Sequence, residues 1–378
     1  MLVIADINTI WRRKPFEALS EHQSVLCLAP RRWGDSTFVS ASAHRDFHIV
    51  PISLPPGWAS HFTKLSALWM WSRAKRCAAS REEKISGLVV TSPHYTALAK
   101  RASSSVPVFY YGSDDYSQYN GWGGESILRK EAEIVRLATH SFFVSGVLAK
   151  HTEQDYHADP SRITVSANAT EERFVIRSSE AAIQELFLNN PGLKRPLVGV
   201  VGAINSRIDF ELLEQCLTIP EIGTLLLIGS CDPNENEPAL EKLRQHAKCL
   251  FLGPISHENL PLWMQSLDVA LIPYRDTALN RACSPMRLYD HLAAGRTIVA
   301  TSVNEQITQM KPLVRCGTNA SEFIGHLQDA LRETRSPEIT ERMRQVATHN
   351  LWATRATTIH EILNRYTSSA TPNSTRSV

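Results

Sequence analysis

Short apolar runs recur along the chain, and the polar stretches between them are long enough for helices. This alternation is typical of a parallel sheet covered by helices on both faces. It lapses once, at residues 177–195, where RSSEAAIQELFLNNPGLKR predicts a short helix and a Pro/Gly loop. The predicted strands before the lapse are 2–5, 25–30, 49–52, 87–91, 106–111, 141–144 and 163–165, and those after it are 197–204, 224–229, 249–253, 269–274 and 297–301.

The lapse divides the chain into two similar α/β domains, which we place at residues 1–185 and 195–336. A chain of 378 residues, 43% hydrophobic and 21% charged, is long enough to bury two such cores. The pattern of residues 337–366 predicts one or two amphipathic helices. Residues 367–378 are polar and predict a disordered tail.

Charge is distributed unevenly between the two ends of the chain. The net charge is +2, yet residues 1–110 hold 14 Lys and Arg against 7 Asp and Glu. A basic half is compatible with nucleic acid, an anionic membrane surface or an anionic substrate. No nucleic-acid-binding motif accompanies it, so no nucleic-acid partner is expected. Seven scattered Cys without a C-x-x-C pair indicate neither a disulfide framework nor a zinc site.

Residues 284–301, SPMRLYDHLAAGRTIVAT, contain the clearest local signals. Ser284 is a good N-cap residue, Pro285 suits the first helical position, and Gly295 is a typical helix stop. The run 297–301 then predicts a buried strand.

The start of this predicted helix suits an anion. Its N-terminus presents unpaired backbone N–H groups and a partial positive charge, and Arg287 lies on the first turn. Asp290, one turn further along, could accept hydrogen bonds from two neighbouring hydroxyls, such as those of a ribose. The alternative is a packed helix whose cap has no ligand, but the strand-like runs on both sides favour a nucleotide-binding unit.

The segment 285–301 resembles the P-(L/M)-K-x-x-E-x-x-A-x-G-x-P-(I/V)-V-A-T motif of family 4 glycosyltransferases and their group 1-like relatives, with Arg287 for Lys and Asp290 for Glu. The resemblance implies the GT-B fold, an α/β architecture of two Rossmann-like domains facing a cleft, with a C-terminal helix that crosses back to the N-terminal domain. It also implies a nucleotide-sugar donor, most commonly UDP-linked, without a metal or other cofactor. Met286 and Leu288 match nucleotide-contacting positions, and Tyr274 is a candidate for the same pocket.

Other segments extend the resemblance along nearly the whole chain. WRRKPFEAL before VLCLAP is similar to the opening of polysaccharide and teichuronic-acid type transferases, and FFVSGVLAK and VSANATEERF resemble further family segments. The chain departs from the family at Ala169, where Gly is usual, and at Ala282, where retaining members carry a first Glu. The missing carboxylate favours an inverting enzyme.

A loop rich in Asp, Ser, Tyr and Gly follows the strand in residues 108–124, VFYYGSDDYSQYNGWGG. YYGSDDYS resembles the Y-x-x-S-D segment that carries the catalytic aspartate in exopolysaccharide transferases such as the xanthan glucuronosyltransferase, and the match falls on Asp114. A carboxylate there could deprotonate an acceptor hydroxyl. The alternative role is to cap the following turn, which Asp115 fits better. His94 is a second candidate base, although an isolated His is more often structural.

Two further residues extend the predicted donor site. Gly202, in VVGAINSRID, would allow a nucleotide to approach the backbone closely. Arg207, in the same loop, could bind the diphosphate, or it could be an ordinary solvent-exposed Arg.

Residues 58–76, WASHFTKLSALWMWSRAKR, place Trp58, Phe62, Leu65 and Trp69 near one helical face beside basic residues. This pattern indicates either an interfacial helix or a core-packed helix with a solvated basic end. Contact with the inner membrane face would suit a lipid-linked acceptor.

The sequence thus predicts a hexosyl- or glycuronosyltransferase that acts on a glycan or lipid-linked saccharide in bacterial surface polysaccharide synthesis. We expect a cytoplasmic enzyme, peripheral to the membrane if residues 58–76 bind it. The alternatives are a nucleotide-sugar epimerase of the same fold and a catalytically silent nucleotide-binding subunit.

Overall fold

The computed structural model of the chain describes residues 1–32, 44–119, 121, 124–232, 237–333 and 336–367. Most of the predicted aspartate loop therefore falls within the described residues. The predicted tail, apart from Thr367, lies outside them. Within these ranges, no helix is both long enough and apolar enough to cross a membrane.

The strands are short and mostly buried along their whole length, as expected for sheets covered on both faces. Their bounds are β1 Leu2–Ala5, β2 Val25–Arg32, β3 Phe47–Leu54, β4 Gly87–Val90, β5 Val108–Gly112, β6 His140–Phe143, β7 Ile163–Val165, β8 Leu197–Val201, β9 Thr224–Ile228, β10 Cys249–Gly253, β11 Val269–Ile272, β12 Thr297–Thr301 and β13 Val314–Gly317.

Helices occupy most of the intervals between consecutive strands. Their bounds are α1 Ile10–Leu19, α2 Thr63–Ala79, α3 Thr96–Ala102, α4 Glu125–Leu137, α5 Gly146–Asp155, α6 Glu172–Val175, α7 Glu180–Asn189, α8 Phe210–Cys216, α9 Pro238–Gln245, α10 Leu260–Ser266, α11 Ala278–Ala282, α12 Met286–Ala294, α13 Glu305–Thr308, α14 Ala320–Arg332, α15 Pro337–Thr348 and α16 Trp352–Thr367.

The chain forms two compact units, each built on one parallel sheet. The first comprises Met1–Asn168, Ala282–Ser284 and Trp352–Val378, and the second comprises Ala169–Arg281 and Pro285–Leu351. The sequence pattern instead places the division near residue 185, where the apolar alternation lapses. In the structure α6, which lies before that point, and α7, which spans it, both pack against helices of the second unit.

The two sheets share one strand order. The first is β3-β2-β1-β4-β5-β6-β7 and the second is β10-β9-β8-β11-β12-β13. In each, the chain winds outward from the first strand in one direction, then returns to that strand's other side and continues the opposite way. The point of reversal lies between β1 and β4 in the first unit, and between β8 and β11 in the second. Open α/β sheets bind ligands at the carboxyl ends of strands at this point.

The final helix belongs to the first unit, although the whole second unit precedes it in the chain. α16 packs against α1, and Ala356 and Ile359 of α16 join the first core. Arg355 Nε donates a hydrogen bond to the carbonyl oxygen of Ala167, 3.0 Å away. The return of the last helix to the N-terminal domain, which the family resemblance implies, is present in the fold.

Every predicted strand is present, with small errors at the ends. The largest is at residues 197–204, where β8 ends at Val201 because Gly202 adopts a φ of 115° that leaves the extended conformation. The prediction omitted β13, Val314–Gly317, which pairs with β12. Its sequence VRCG places a charged residue and a Gly among few apolar ones, so the apolar pattern there is weak.

The predicted helix start at Ser284 is wrong by one residue. α12 begins at Met286, and Pro285 takes the capping position with an extended backbone. The Ser284 hydroxyl oxygen accepts a hydrogen bond from the Asn168 N–H at 2.8 Å. The predicted stop is confirmed: Gly295 has a φ of 64°, the left-handed conformation that ends helices.

Candidate active site

In the second unit, Gly202 and Gly229 bring two backbone segments into close contact at the carboxyl ends of β8 and β9. Gly202 donates its N–H to the Ile228 carbonyl at 2.8 Å. A Cβ on Gly229 would lie 2.0 Å from the Gly202 oxygen, so only glycine fits there. A Cβ on Gly202 would lie 2.8 Å from Nη2 of Arg287. The predicted glycine of the loop and the predicted arginine of α12 are therefore neighbours.

The Arg287 guanidinium lies between this loop and the ring of Tyr274. Its Cζ atom is 5.2 Å from the ring centroid, a cation–π distance. Nη2 makes a long hydrogen bond of 3.4 Å to the Ala203 carbonyl. Nη1 is shielded from solvent and has no hydrogen-bond partner among the residues that the structure describes. A buried guanidinium N–H without an acceptor is costly unless an anion binds it.

A second guanidinium, that of Arg207, contacts the same ring, with Cζ 5.6 Å from the Tyr274 centroid. Its Nε donates to Asn280 Oδ1 at 2.8 Å, and Asn280 Nδ2 donates back to the Arg207 carbonyl at 2.9 Å. Asn280 is fully buried, and its own carbonyl accepts a hydrogen bond from Asn304. Arg207 is thus partly buried and oriented, unlike the freely exposed Arg that the sequence left as the alternative. The residue that orients it, Asn280, was not predicted.

Asp290 lies on α12, one turn from Arg287, and is partly buried. Its Oδ1 accepts a hydrogen bond of 2.7 Å from the Thr170 hydroxyl, a residue that sequence reasoning did not select. Loss of hydration raises the pKa of Asp290 to about 7, more than the Thr170 hydrogen bond lowers it. The neighbouring Glu171, which forms an ion pair with His257, raises that pKa further. The predicted ribose acceptor therefore changes charge near neutral pH.

The other predicted donor-site residues have different surroundings. Met286 is partly exposed at the first turn of α12, whereas Ser284 and Pro285 are buried. Leu288 is fully buried, so its side chain is part of the core and cannot contact a nucleotide. Its N–H donates to the Pro285 carbonyl at 3.1 Å. The predicted contact at Leu288 thus does not fit its side chain.

In the first unit, Asp114 lies two residues after the end of β5 and is 5% exposed. Its Oδ2 accepts a hydrogen bond from the Tyr119 hydroxyl at 2.5 Å, and its Oδ1 accepts one from the Asp115 N–H at 3.1 Å. Two donors on two different oxygens fix the plane of the carboxylate. A positioned carboxylate at the end of a strand is the geometry that a general base requires.

Asp115 has the other role that the sequence allowed. Its Oδ1 accepts hydrogen bonds from the N–H and the hydroxyl of Ser117, so it caps the short 3₁₀ turn Tyr116–Gln118. The expectation that Asp115 fits a cap better than Asp114 is confirmed.

His94, the second candidate base, is partly buried. Burial and the nearby Lys130 charge lower its pKa to about 4, which makes the imidazole weakly basic at neutral pH. The ring lies edge-on to Trp58.

A buried polar chain that the sequence did not predict joins three strand ends beside Asp114. Asp6, after β1, pairs with Arg12 through Oδ2 and Nη1 at 2.8 Å. Arg12 Nε donates to the Ser113 hydroxyl at 3.3 Å. The Tyr116 hydroxyl donates to the Thr91 carbonyl at 2.7 Å, so the 2.9 Å contact between Ser113 and Tyr116 is donated by Ser113. The chain holds the loop that carries Asp114 against β1 and β4.

Residues 195–333, which make up most of the second unit, match the family model described as Glycosyl transferases group 1. The second unit is therefore similar to that family over most of its length. The match contains the Gly202 loop, Arg207, Tyr274 and all of α12.

TuaH of Bacillus subtilis (strain 168), named "Putative teichuronic acid biosynthesis glycosyltransferase TuaH", is 22% identical over 225 residues. The aligned region spans 59% of this chain and 56% of TuaH, so it covers little more than half of the relative's length.

Solved structures resemble the whole chain. HepE of Anabaena in complex with UDP has a TM-score of 0.74 at 13% identity, covering 96% of this chain and 99% of that one. HepE with UDP and glucose gives a TM-score of 0.75 at 14% identity, again covering 96% and 99%. Sucrose-phosphate synthase from Thermosynechococcus elongatus gives 0.73 at 15% identity, covering 98% and 99%. The chain has the GT-B fold.

Proposed function

We propose that the chain is a glycosyltransferase that moves a sugar from a UDP-linked donor to a saccharide acceptor. One observation carries this proposal: two oriented guanidiniums, Arg207 and Arg287, flank the Tyr274 ring at the Gly202 loop, within the region that matches the transferase family model. The two guanidiniums lie beside the Gly202 backbone, and Nη1 of Arg287 is buried without a hydrogen-bond partner among the described residues. Such a site suits a diphosphate. UDP and UDP-glucose are bound by the structurally similar HepE, which supports the same donor class here.

The second unit would hold the donor. Arg207 and Arg287 would bind the diphosphate oxygens with the help of the α12 N-terminus, which begins at Met286. Asp290 would accept hydrogen bonds from the ribose hydroxyls. The backbone at Gly202, which has no Cβ, would allow the nucleotide to approach.

The first unit would supply the base. Asp114 would take the proton from the acceptor hydroxyl as that oxygen attacks the anomeric carbon, while the bond from that carbon to the UDP oxygen breaks. Direct displacement inverts the anomeric configuration. Ala282 replaces the first carboxylate of the retaining relatives, which supports an inverting reaction.

The leaving UDP gains negative charge as this bond breaks. The guanidiniums of Arg207 and Arg287 and the helix N-terminus would lie beside the bound diphosphate and would stabilise this charge in the transition state. The proposed step therefore uses protein donors and needs no metal ion.

Similarity to TuaH supports surface polysaccharide synthesis as the process and a glycan or lipid-linked saccharide as the acceptor. Both hexosyl and glycuronosyl transfer fit the proposal. A lipid-linked acceptor would require the enzyme to work at the inner membrane face, as a cytoplasmic protein in peripheral contact with the bilayer.

Helix α2 offers an apolar surface for such contact. Met70, Trp71 and Ala74 form its buried face, whereas Leu65 and Trp69 on another face are 67% and 58% exposed. Trp58, the first residue of the segment predicted to bind membranes, instead packs on Tyr95 with ring centroids 5.3 Å apart. We propose that α2 contacts the membrane through its exposed apolar face.

The test is donor hydrolysis and transfer with UDP-glucose, UDP-glucuronate and GDP-mannose, using a membrane extract as acceptor. Asp114→Ala and Arg287→Ala are compared with matched controls, Asp115→Ala and Arg281→Ala. We expect activity with one UDP-sugar in the presence of EDTA, lost in the first pair and kept in the second. The anomeric proton coupling of the product reports inversion.

Other outcomes would identify the alternatives. Conversion of the donor sugar without any acceptor would indicate an epimerase. Nucleotide binding without turnover, even with the extract, would indicate a silent subunit. Full activity in both site variants would show that the assigned residues are wrong.

A further inference from the structure

A surface cavity of about 460 Å³ lies in the first unit between α2, α3 and α4. Basic side chains from all three helices line it: Lys64 from α2, Lys100 and Arg101 from α3, and Lys130 from α4. Glu133 is the acidic side chain among the lining residues. Four cations facing one carboxylate leave a surplus of positive charge in a concave surface, where charges of one sign reinforce each other.

The cations differ in how far the protein itself satisfies them. Lys100 forms an ion pair with Glu133 at 2.5 Å, and Lys130 Nζ donates to the Ala59 carbonyl at 3.1 Å. Lys64 and Arg101 are exposed, and neither has an ion pair among the described residues. Lys64 and Arg101 are therefore available to an external anion, whereas Lys100 and Lys130 shape the cavity.

An apolar shoulder borders the cavity on the α2 side. Phe62, Leu65, Leu68 and Trp69 are 50%, 67%, 50% and 58% exposed. Leu68 also lines the cavity, so the apolar surface and the basic concavity are continuous. Four large exposed apolar side chains within the eight residues 62–69 are unusual on the surface of a globular protein, and such a patch marks an interaction site.

We propose that this cavity binds the phosphate head group of an anionic membrane lipid, while the apolar shoulder enters the boundary between head groups and acyl chains. The inference rests on the membrane contact proposed above and adds a specific lipid site to it. A soluble anion would use the cations alone and leave the shoulder unexplained. A lipid presents a phosphate and an apolar chain side by side, which matches both parts of this surface.

The test compares two double variants of the full chain by flotation with phosphatidylcholine vesicles, with and without phosphatidylglycerol. Lys64→Gln/Arg101→Gln removes two cavity charges. Lys75→Gln/Arg76→Gln removes two exposed charges from α2 outside the cavity. Lys75 is 11 residues from Lys64, about 16 Å along the helix, which is about twice the screening length in physiological salt.

We expect the wild type to float with phosphatidylglycerol vesicles. The cavity variant should bind them about thirtyfold more weakly, as two surface charges are worth about a factor of ten or less each, and the control should lose less than about threefold. Equal loss in both variants would show diffuse attraction and overturn the cavity site. Unchanged binding by the cavity variant would overturn it too.

Two further measurements separate the remaining outcomes. If inorganic phosphate raises the melting temperature of the wild type but not of the cavity variant, and flotation is the same for both, the cavity binds a soluble anion and the lipid proposal is wrong. If the wild type fails to float at all, membrane contact fails, whereas UDP-sugar hydrolysis still reports the transferase activity by itself. Melting curves and the single variants Lys64→Gln and Arg101→Gln exclude misfolding as the cause of lost binding.

Discussion

The two units have the same strand order and the same point of reversal, but opposite chemistry at the carboxyl ends of their strands. In the first unit, the strand ends carry carboxylates: Asp6 is paired with Arg12, and Asp114 accepts hydrogen bonds from Tyr119 and the backbone. In the second unit, they carry guanidiniums, with Arg207 and Arg287 around Tyr274.

The difference shows that the fold supplies a position and the loop residues supply the chemistry. A fixed carboxylate suits a proton acceptor, whereas fixed guanidiniums beside open backbone suit a diphosphate. Under our proposal, the reaction needs both, one from each unit. The following predictions test that contrast, beginning with the largest expected effect.

Replacing the Asp114 carboxylate of the first unit should abolish catalysis without changing the affinity for the donor. Asp114→Asn keeps the shape but cannot take a proton, so we expect the transfer rate to fall about a hundredfold to ten-thousandfold. The affinity for UDP, measured by calorimetry, should stay the same because the proposed donor site lies in the second unit. The matched control is Asp115→Asn, which removes only a turn cap. A similar rate loss in the control would contradict the distinction between the two aspartates.

Breaking the buried ion pair between Asp6 and Arg12 should destabilise the first unit alone. Arg12→Met leaves the Asp6 carboxylate buried without its partner and should lower the free energy of unfolding by about 3 kcal/mol. In urea denaturation, one of the two units' transitions should shift and the other should not. The double variant Asp6→Asn/Arg12→Met should recover part of the loss. No recovery would mean that Arg12 acts mainly through Ser113.

Removing the Arg287 guanidinium from the second unit should weaken donor binding. Arg287→Gln loses charged hydrogen bonds worth about 2 kcal/mol, so we expect about thirtyfold weaker UDP binding by calorimetry. Arg281→Gln is the control, because Arg281 is exposed and paired with Asp276. Equal affinity of wild type and Arg287→Gln would show that the diphosphate is bound elsewhere.

The smallest effect that we expect is a change in UDP-glucose affinity with pH, caused by the titration of Asp290 in the second unit. With a pKa near 7, Asp290 is neutral below that pH and ionised above it. An ionised carboxylate accepts stronger hydrogen bonds from ribose hydroxyls, so UDP-glucose affinity should rise about fivefold as the pH increases through 7. Asp290→Asn should show a flat profile. A pH-dependent profile in Asp290→Asn would assign the titration to another group.

The titration of Asp290 affects stability in the opposite direction: its contribution to the free energy of unfolding falls, rather than rises, as the pH increases. The folded state holds a proton on Asp290 that the unfolded chain releases near pH 3.8, so this group stabilises the fold fully below that pH. Its contribution to the free energy of unfolding falls as the pH rises from 3.8 through 7. Asp290→Asn lacks this contribution, so the difference in the free energy of unfolding between wild type and variant, measured by urea denaturation, should change with pH across this range.

The sequence by itself determined the elements. Every strand but β13 follows from a short apolar run, and the stop at Gly295 follows from a local backbone requirement. Such signals are readable because they depend on neighbours a few residues apart. The family motif in α12 also identified Arg287 and Asp290, and the strand-end loop identified Asp114.

Tertiary structure alone decided which side chains meet. Arg12 reaches Ser113 across 101 positions of the chain, and Thr170 reaches Asp290 across 120. Asn168 binds Ser284 across 116 positions. Asn280 is an ordinary helix residue in the sequence and orients Arg207 only in the fold. These contacts depend on how sheets and helices pack, because hydrogen-bond partners far apart in the chain leave no periodic pattern in it.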